Sequence, residues 1–358
     1  MKNICFFIGS IGNSGGTERV TSIIANQLLN IPNYSVCILS LNNGFKPFFE
    51  LDEKIKIDEL FSGKVSMKKN FLSCIIKLRQ YVKKNKINTF IVVDSISCVF
   101  SVPALWALNI NHICWEHFNF KVDLGVSMRN LGRKWAAKYC DSIVTLTQRD
   151  KELWEKGLRK INAKIIPIPN PTPFEGVGHI PSLDYKIVLA VGRLNYQKGF
   201  DLLIAAWSNV CQENNDWLLR IVGGGEDEEK LKKQAKDLGI NNRIDFVAAT
   251  KNIDLYYRTA SFYCMSSRFE GLPMVLLEAQ AYGLPIVSFD CDTGPSEIVR
   301  DGYNGLLIPN QNEIRLGEGI LKMINLNTIK YDLQINFSLE NIKKFDVKVI
   351  IKKWIVII

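Results

Sequence analysis

The stretch KIVLAVGRLNYQKGFDLLIAAWSNV, residues 186–210, shows the unit from which the whole chain is built. Its first six residues are an apolar run rich in β-branched side chains, which predicts a buried strand. A polar loop with two glycines follows, and residues 201–210 carry apolar side chains at helical spacing. A strand that leads through a short loop into a helix is the repeating unit of a parallel sheet covered by helices.

The same alternation recurs on both sides of this unit. Before it, we predict strands at 3–10, 35–41, 89–93, 112–115 and 142–146, and helices at 18–29, 71–84 and 131–139. After it, we predict strands at 217–222, 244–246, 262–265 and 285–289, and helices at 228–238 and 273–282. The two series are therefore two similar open α/β sheets.

A proline-rich segment separates the two series. Residues 166–173, IPIPNPTP, cannot continue a helix or a central strand. A chain of 358 residues is also long for a single core. We therefore expect two facing Rossmann-like domains with parallel sheets, at 1–175 and 176–337, and a last segment, 338–358, that forms a helix crossing back to the first domain.

Cysteine usage and two apolar segments indicate the cellular compartment of the protein. The nine cysteines are odd in number, form no CxxC pair and lie mostly in apolar runs. This pattern predicts reduced, buried cysteines in a cytoplasmic protein, and neither a disulfide framework nor a zinc site. Residues 4–11 are typical of a first strand rather than a signal peptide. Residues 95–115 carry no formal charge, but Pro103 and His112 interrupt them, which favours a short helix between two strands over a membrane span.

Positive charge is concentrated in the first half of the chain. The net charge is +9, and residues 1–175 hold 24 basic against 14 acidic side chains, whereas residues 176–358 hold 21 against 22. Solvated helix faces explain any single residue, but the asymmetry as a whole suits an anionic partner such as lipid headgroups, a lipid phosphate or nucleic acid. Two clusters carry most of it: Lys64, Lys68, Lys69, Lys77, Arg79, Lys83, Lys84 and Lys86, and then Arg129, Arg133, Lys134 and Lys138.

Two loops carry features that suit phosphate. Residues 9–19, GSIGNSGGTER, lie between the first strand and the first helix, where glycines such as Gly15 and Gly16 let backbone N–H groups approach an anion. The spacing is not GxGxxG, so a plain strand–helix turn is equally consistent with it, and a dinucleotide site is disfavoured. In residues 191–199, VGRLNYQKG, Arg193 and Lys198 supply two cations that can stabilise a departing diphosphate.

Two further motifs add carboxylates and a histidine. In residues 266–278, SSRFEGLPMVLLE, Glu270 lies on a Gly–Pro turn and Pro273 is predicted to open a helix that carries Glu278. Paired carboxylates can accept hydrogen bonds from the adjacent hydroxyls of sugar rings, and N–H groups around Leu272 and Met274 can hold phosphate. His117 follows a strand in WEHF, residues 115–118, with an acid beside it.

These motifs together resemble the retaining glycosyltransferases of family 4, which have the GT-B fold. The matching segments occur in order: GGTER, GRL…KG, the Glu270/Glu278 pair, TGPSEI at 293–298 and DGYNG at 301–305. The resemblance covers nearly the whole chain, is strongest over 186–310, and is closest to bacterial enzymes that build O-antigen, capsule or lipid-linked oligosaccharides.

The resemblance also implies roles. Arg193, Lys198, Gly15 and Gly16 would bind the donor diphosphate; Glu270, Leu272, Pro273, Met274 and Glu278 would bind the donor sugar and ribose. His117 and Glu270 would face the reacting sugar. The anomeric configuration would be retained, with a hexose or N-acetylhexosamine moved from a UDP-sugar, or less favourably a GDP-sugar, to a polyisoprenyl-diphosphate-linked saccharide. No cofactor, metal or nucleic acid is expected, and the enzyme would sit on the inner face of the cell membrane.

Other interpretations remain open from the residues. Asp290-Cys291-Asp292 resembles the metal-binding DxD of a different glycosyltransferase fold, although a strand-end loop explains it more simply. A sugar-nucleotide epimerase or hydrolase on the same architecture would bind the same donor but need no acceptor. A non-enzymatic membrane- or nucleic-acid-binding protein would explain the charge asymmetry but would leave the four donor-site side chains without a role.

Overall fold

The computed structural model describes residues 1–63, 65–66 and 69–358. The chain divides into two compact units, the first made of residues 1–171 together with 347–358, and the second of residues 172–346. Lys64 and Lys68, which belong to the predicted basic cluster, lie outside the described residues.

The first unit is built on a seven-stranded parallel sheet with the order β3-β2-β1-β4-β5-β6-β7. Its strands are β1 (Lys2–Ile8), β2 (Tyr34–Asn42), β3 (Lys56–Phe61), β4 (Thr89–Val93), β5 (Asn111–Trp115), β6 (Ser142–Thr145) and β7 (Lys164–Pro167). The helices that alternate with them are α1 (Gly16–Leu29), α2 (Phe71–Lys84), α3 (Cys98–Leu105), α4 (Ser127–Tyr139) and α5 (Gln148–Gly157). The β1 and β4 strands are almost wholly buried because helices cover both faces.

The second unit is built on a six-stranded parallel sheet with the order β10-β9-β8-β11-β12-β13. Its strands are β8 (Ile187–Val191), β9 (Leu218–Val222), β10 (Ile244–Val247), β11 (Phe262–Met265), β12 (Ile286–Asp290) and β13 (Gly305–Pro309). Its helices are α6 (Phe200–Glu213), α7 (Glu228–Asp237), α8 (Asp254–Arg258), α9 (Met274–Ala281), α10 (Pro295–Ile298), α11 (Glu313–Ile324) and α12 (Thr328–Asn341). The expected α/β class with two parallel Rossmann-like sheets is confirmed.

The order of the strands reverses once in each sheet. In the first unit the reversal lies between β1 and β4, and in the second it lies between β8 and β11. Loops that leave the carboxyl ends of two such strands diverge to opposite faces of the sheet and leave a crevice, which is where open α/β sheets bind ligands. The loops that the sequence singled out, after β1, β8 and β11, are therefore the loops at these crevices.

The last segment differs from the single helix expected at 338–358. Ser338 lies within α12 and belongs to the second unit, a short 3₁₀ turn spans Ile342–Phe345, and a separate helix α13 (Val347–Ile357) packs in the first unit. The unit division at 171/172 also falls before the expected 175/176. Trp354 of α13 is 1% exposed and packs on Trp115, with ring centroids 4.8 Å apart. Burial of the apolar side of α13 therefore holds this helix against the first sheet.

The cysteines are unpaired and mostly buried, and the segment at 95–115 forms a short helix between strands, as the sequence predicted. All nine cysteines are free thiols, and eight of them are buried. Residues 95–115 form a 3₁₀ turn, the helix α3 and the strand β5. Among the described residues, no helix has the length and apolar character needed to cross a bilayer.

Candidate functional site

The glycine loop of the first unit ends at the start of α1. Gly15 and Gly16 are exposed, and no side chain caps the helix. A Cβ atom on Gly15 would lie 2.5 Å from Oε2 of Glu18, which shows how closely the carboxylate approaches this backbone. The first N–H groups of α1 are thus accessible to a ligand, while Glu18 in the first turn lies close to the same backbone.

His117 lies directly beyond the carboxyl end of β5. Its imidazole is buried and packs on Trp115, with ring centroids 4.5 Å apart. Burial lowers the pKa of His117 to about 3, so the ring is neutral at physiological pH. Its Nε2 atom is buried and has no hydrogen-bond partner among the described residues. A neutral ring with an unused nitrogen can donate or accept one hydrogen bond from a bound hydroxyl.

Sequence reasoning missed a buried network of charges beside His117. Glu116 is fully buried, and its Oε2 atom forms an ion pair with Nε of Arg133 at 3.1 Å. Nη1 of Arg129 lies 2.6 Å from Oδ1 of Asp94 and 3.8 Å from Oε1 of Glu116. Burial and the neighbouring Glu116 raise the pKa of Asp94 to about 6, against the lowering effect of Arg129. Arg129 and Arg133 therefore hold the loops after β4 and β5 in place and are not part of a basic surface, contrary to the expected cluster.

The loop after β8 places Arg193 at the crevice of the second unit. Its side chain is 70% exposed and pairs with Glu226, with Nη2 and Oε2 3.2 Å apart. The glycines after β9 make this possible, because a Cβ on Gly223 would lie 1.9 Å from the Gly192 oxygen and one on Gly225 2.2 Å from the Leu194 oxygen. We did not identify residues 223–226 from the sequence, although three consecutive glycines after a predicted strand were the available signal.

Lys198 and Glu270 come together although 72 residues separate them in the chain. Nζ of Lys198 lies 2.7 Å from Oε1 of Glu270, and the side chains are 20% and 8% exposed. The two loops that carry them are bonded to each other, since Ser266 Oγ donates to the Lys198 oxygen. Gly199 has φ +63° and a Cβ there would meet the Ser266 oxygen at 2.2 Å, so only glycine allows this approach.

Glu278 lies on α9 and is buried. Its Oε2 accepts a hydrogen bond of 2.7 Å from the Tyr257 hydroxyl. Tyr257 in turn stacks on Tyr282, with ring centroids 5.1 Å apart. This aromatic support fixes the carboxylate so that it can accept hydrogen bonds in one direction.

The turn between Glu270 and α9 differs in detail from the expectation. Pro273 has φ −72° and ψ 106° and is the residue that precedes the helix, whereas α9 itself begins at Met274. Thr293 Oγ1 donates to the Glu270 oxygen, and a Cβ on Gly294 would lie 2.5 Å from Cδ of Pro273, so the loop after β12 closes tightly over this turn. Leu272 is buried in it. The turn is thus held by Thr293 and Gly294 of the neighbouring loop, and the first N–H groups of α9 directly follow it.

The DxD-like acids occupy the end of β12. Asp290 is the last residue of that strand, and Asp292 lies in the loop that follows. Burial raises the pKa of Asp290 above its usual value. Asp290 and Asp292 therefore lie at the end of a strand and in the loop after it, as the strand-end interpretation predicted.

The structure shows a direct contact between two of the predicted site residues, and it places most of the others on loops that follow strands. In the second unit Lys198 meets Glu270, and Arg193 lies on the same loop as Lys198. In the first unit Gly15 and His117 follow β1 and β5, on either side of the reversal between β1 and β4. A cluster of fixed cations, carboxylates and exposed N–H groups at such crevices is suited to a ligand with both phosphates and hydroxyls.

Comparisons with known proteins agree with this chemistry. Residues 14–175 match the family model "Glycosyltransferase Family 4", and residues 179–338 match "Glycosyl transferases group 1". An uncharacterized glycosyltransferase of Haemophilus influenzae is 40% identical over 99% of both chains. The amylovoran biosynthesis glycosyltransferase AmsD of Erwinia amylovora is 31% identical over 99% of both chains.

A more distant relative and a solved structure extend these similarities. An α-1,4-N-acetyl-D-galactosaminyltransferase of Campylobacter jejuni, named for an undecaprenol-diphosphate-linked saccharide, is 26% identical over 100% of this chain and 98% of its own. The crystal structure of HepE from Anabaena in complex with UDP superposes with a TM-score of 0.80 at 18% identity, covering 99% of this chain and 98% of its own. At that identity, the likeness concerns the GT-B fold alone.

Proposed function

This chain belongs to the family 4 glycosyltransferases, and from that premise we propose that it moves a hexose or N-acetylhexosamine from a UDP-sugar to a lipid-linked saccharide with retention of configuration. The observation that carries the proposal is the pairing of Lys198 with Glu270 at the reversal of the second sheet. A cation and a carboxylate fixed side by side suit a ligand that presents a phosphate next to a sugar ring.

The diphosphate would be held by Arg193 and Lys198. Arg193 is largely exposed and its partner Glu226 is 58% exposed, so a phosphate can take over the guanidinium at little cost. Lys198 is already directed at the crevice by its bond to Glu270. The N–H groups at the start of α9 would add further donors, and the proposed role of Gly15 and Gly16 in binding the diphosphate rests on the family resemblance alone. GDP-sugars share this diphosphate and are the second choice of donor.

The sugar and ribose hydroxyls would be read by carboxylates. Glu270 would accept hydrogen bonds from the donor sugar, and Glu278, fixed by Tyr257, from the ribose. His117 is neutral and its Nε2 has no partner among the described residues, but that atom is closed to solvent, so the ring would turn to bond a sugar hydroxyl. No dedicated base is then required, since an oxygen of the departing diphosphate can take the proton of the acceptor as it attacks from the same face. With two cations to stabilise the leaving group, we propose that transfer needs no metal.

The acceptor class is proposed from the relatives and from one surface of the first unit. The names of two relatives refer to amylovoran biosynthesis and to an undecaprenol-diphosphate-linked saccharide, so we propose a polyisoprenyl-diphosphate-linked acceptor in surface polysaccharide assembly. Such an acceptor lies in a membrane, and the enzyme would reach it from the cytoplasmic surface.

One face of α2 fits that surface. Leu72 and Ile76 are 72% and 56% exposed, and they lie four residues apart on one side of the helix. Lys83 lies seven residues after Ile76 and so belongs to the same stripe. Arg79 on the same stripe donates to the Trp106 oxygen, which brings a 63% exposed indole beside it. Exposed apolar side chains next to basic ones are typical of helices that rest on anionic headgroups.

Vesicle binding tests this location. Lys83→Ala with Lys84→Ala should lower co-sedimentation with phosphatidylglycerol vesicles by at least tenfold, since each basic residue contributes about 1 kcal/mol near such a surface. The matched control replaces Lys232 and Lys233, which are exposed on α7 of the second unit, and should leave binding unchanged. Equal binding of both variants, or none by the wild type, would contradict the proposed location.

Ligand-induced stabilisation tests the donor. Thermal unfolding is measured with UDP, GDP, ADP and NAD; a ligand at 100 times its Kd stabilises by about 2.7 kcal/mol, which shifts Tm by a few degrees. A shift with UDP alone is expected, and a panel of UDP-sugars with an undecaprenyl-diphosphate saccharide then gives the product, with and without EDTA. A GDP-only shift would replace the donor. Donor consumed equally without any acceptor would favour an epimerase or hydrolase, and no nucleotide shift would overturn the proposal.

A further inference from the structure

A second cluster of reactive side chains lies buried in the first unit, away from the loops already described. Cys98 begins α3, His112 lies in the first half of β5, and Cys140 directly follows α4. These residues are at most 5% exposed, and their ligand atoms all lie within 4.8 Å of one another. No other group of this kind is found among the described residues.

The orientation of His112 is that of a metal ligand. Its Nδ1 atom faces the Cys140 sulfur at 3.6 Å, and its Nε2 atom is 3.0 Å from Oγ of Ser101. When zinc is held by one sulfur at about 2.3 Å and one imidazole nitrogen at about 2.0 Å in a tetrahedron, those two atoms lie about 3.5 Å apart. A ligating histidine also commonly gives its other ring nitrogen to a hydrogen bond, as Ser101 provides here.

A further thiol lies near this group on the same strand as His112. Cys114 lies two residues after His112 on β5, so the two side chains project from the same face of the sheet. It is fully buried but stands outside the group whose ligand atoms lie within 4.8 Å of one another, so its side chain would turn toward the ion to complete the set. Three sulfurs and one imidazole form the Cys₃His set that structural zinc sites use. Three thiolates and a neutral imidazole would leave one negative charge in excess of the ion, which is a smaller buried charge than the ion or the thiolates would carry alone.

We propose that Cys98, Cys140 and His112, completed by Cys114, bind one structural Zn²⁺ ion that ties α3 and α4 to the sheet of the first unit. The candidate ligands come from a helix start, one strand and a helix end, so an ion there would cross-link three elements. The site stands at the opening residues of β5, whereas His117 follows its carboxyl end, so the ion would have no part in the transfer chemistry. Soft thiolates with imidazole favour zinc over magnesium or manganese.

Metal content of the purified protein tests the site. Protein without a histidine tag is produced in zinc-supplemented medium, and Zn, Fe, Ni and Cu are measured by mass spectrometry per folded chain. We expect about one zinc per chain, and at least a fivefold loss in the variant Cys98→Ala/Cys140→Ala. The matched control is Cys74→Ala, also a buried thiol of the first unit, which should keep its zinc. A metal-free wild type, or zinc retained by the double variant, would overturn the proposal.

Refolding gives a result even if the double variant fails to fold. Wild-type protein is unfolded in denaturant with a chelator and refolded with either Zn²⁺ or excess EDTA. We expect the zinc-refolded protein to melt several degrees higher and to retain about one ion through gel filtration. Equal melting temperatures with no retained ion would refute the site, and neither result depends on glycosyl transfer.

Discussion

Removal of the Lys198 ammonium is the most direct test of the donor site. A unit cation about 4 Å from a unit anion contributes about 4 kcal/mol at an effective dielectric constant of 20. The Lys198 side chain is 20% exposed, so solvent screens part of this attraction. Measured losses for one donor to a developing negative charge are ~10²–10³ in rate, and we expect Lys198→Ala to lower kcat/KM about 100-fold, or about 2.7 kcal/mol.

The assay is the initial rate of product formation from the UDP-sugar identified by the panel, with kcat and KM determined separately. Removal of the ammonium also leaves the Glu270 carboxylate unpaired beside the diphosphate. Glu270→Gln added to Lys198→Ala should therefore cost less than the two separate losses combined. The control is Lys232→Ala, whose ion pair with Glu228 is also 2.7 Å long but lies on the surface of α7. If a folded Lys198→Ala variant stays within threefold of the wild type, the assignment of the diphosphate site is wrong.

Three other changes have defined outcomes. Glu278→Ala should lower transfer at least ~10-fold, because it removes a carboxylate proposed to bind ribose, and UDP binding by calorimetry should weaken with it. For His117, the folded pKa of about 3 lies below the ordinary 6.5, so between these values only the unfolded chain binds the proton. The free energy of unfolding therefore decreases as pH falls from 6.5 toward 3. Between pH 7.5 and 5, denaturant unfolding should show a decrease that is about 2 kcal/mol smaller in His117→Gln than in the wild type. Trp354→Ala should destabilise the protein by about 3–5 kcal/mol in the same assay, because it empties a buried site against Trp115.

Each of these changes has a matched comparison. Glu278→Gln keeps an acceptor for Tyr257 and should fall between the wild type and Glu278→Ala. His179→Gln, at a half-buried ring in the second unit, should leave most of the pH dependence in place. Val356 of α13 is 84% exposed, so Val356→Ala should change the free energy of unfolding by less than about 0.5 kcal/mol. A His117→Gln variant with an unaltered pH slope would show that its imidazole is not held neutral.

The long elements of the fold could be predicted because their patterns are local. The helix at 71–84 has the predicted bounds because its apolar spacing extends over four turns, and the strands at 89–93 and 262–265 do so because β-branched and aromatic residues form short apolar runs there. The edge strands β3, β7 and β13 were missed. In β3 and β7 most residues are only partly buried, and β7 ends on Pro167, which an edge strand tolerates; β13 has only three consecutive apolar residues, Leu306 to Ile308, too few to predict a strand.

The sequence by itself determined the family, the α/β class and the loops that carry Arg193, Lys198, Glu270 and His117, because strand–loop–helix spacing and motif order are written along the chain. Only the tertiary structure decided which side chains meet. It paired Lys198 with Glu270, buried Arg129 and Arg133 against Glu116, and gathered Cys98, His112 and Cys140 from three elements. The physical reason is that strand order and helix packing fix these distances, and neither is encoded in the separation of residues along the chain.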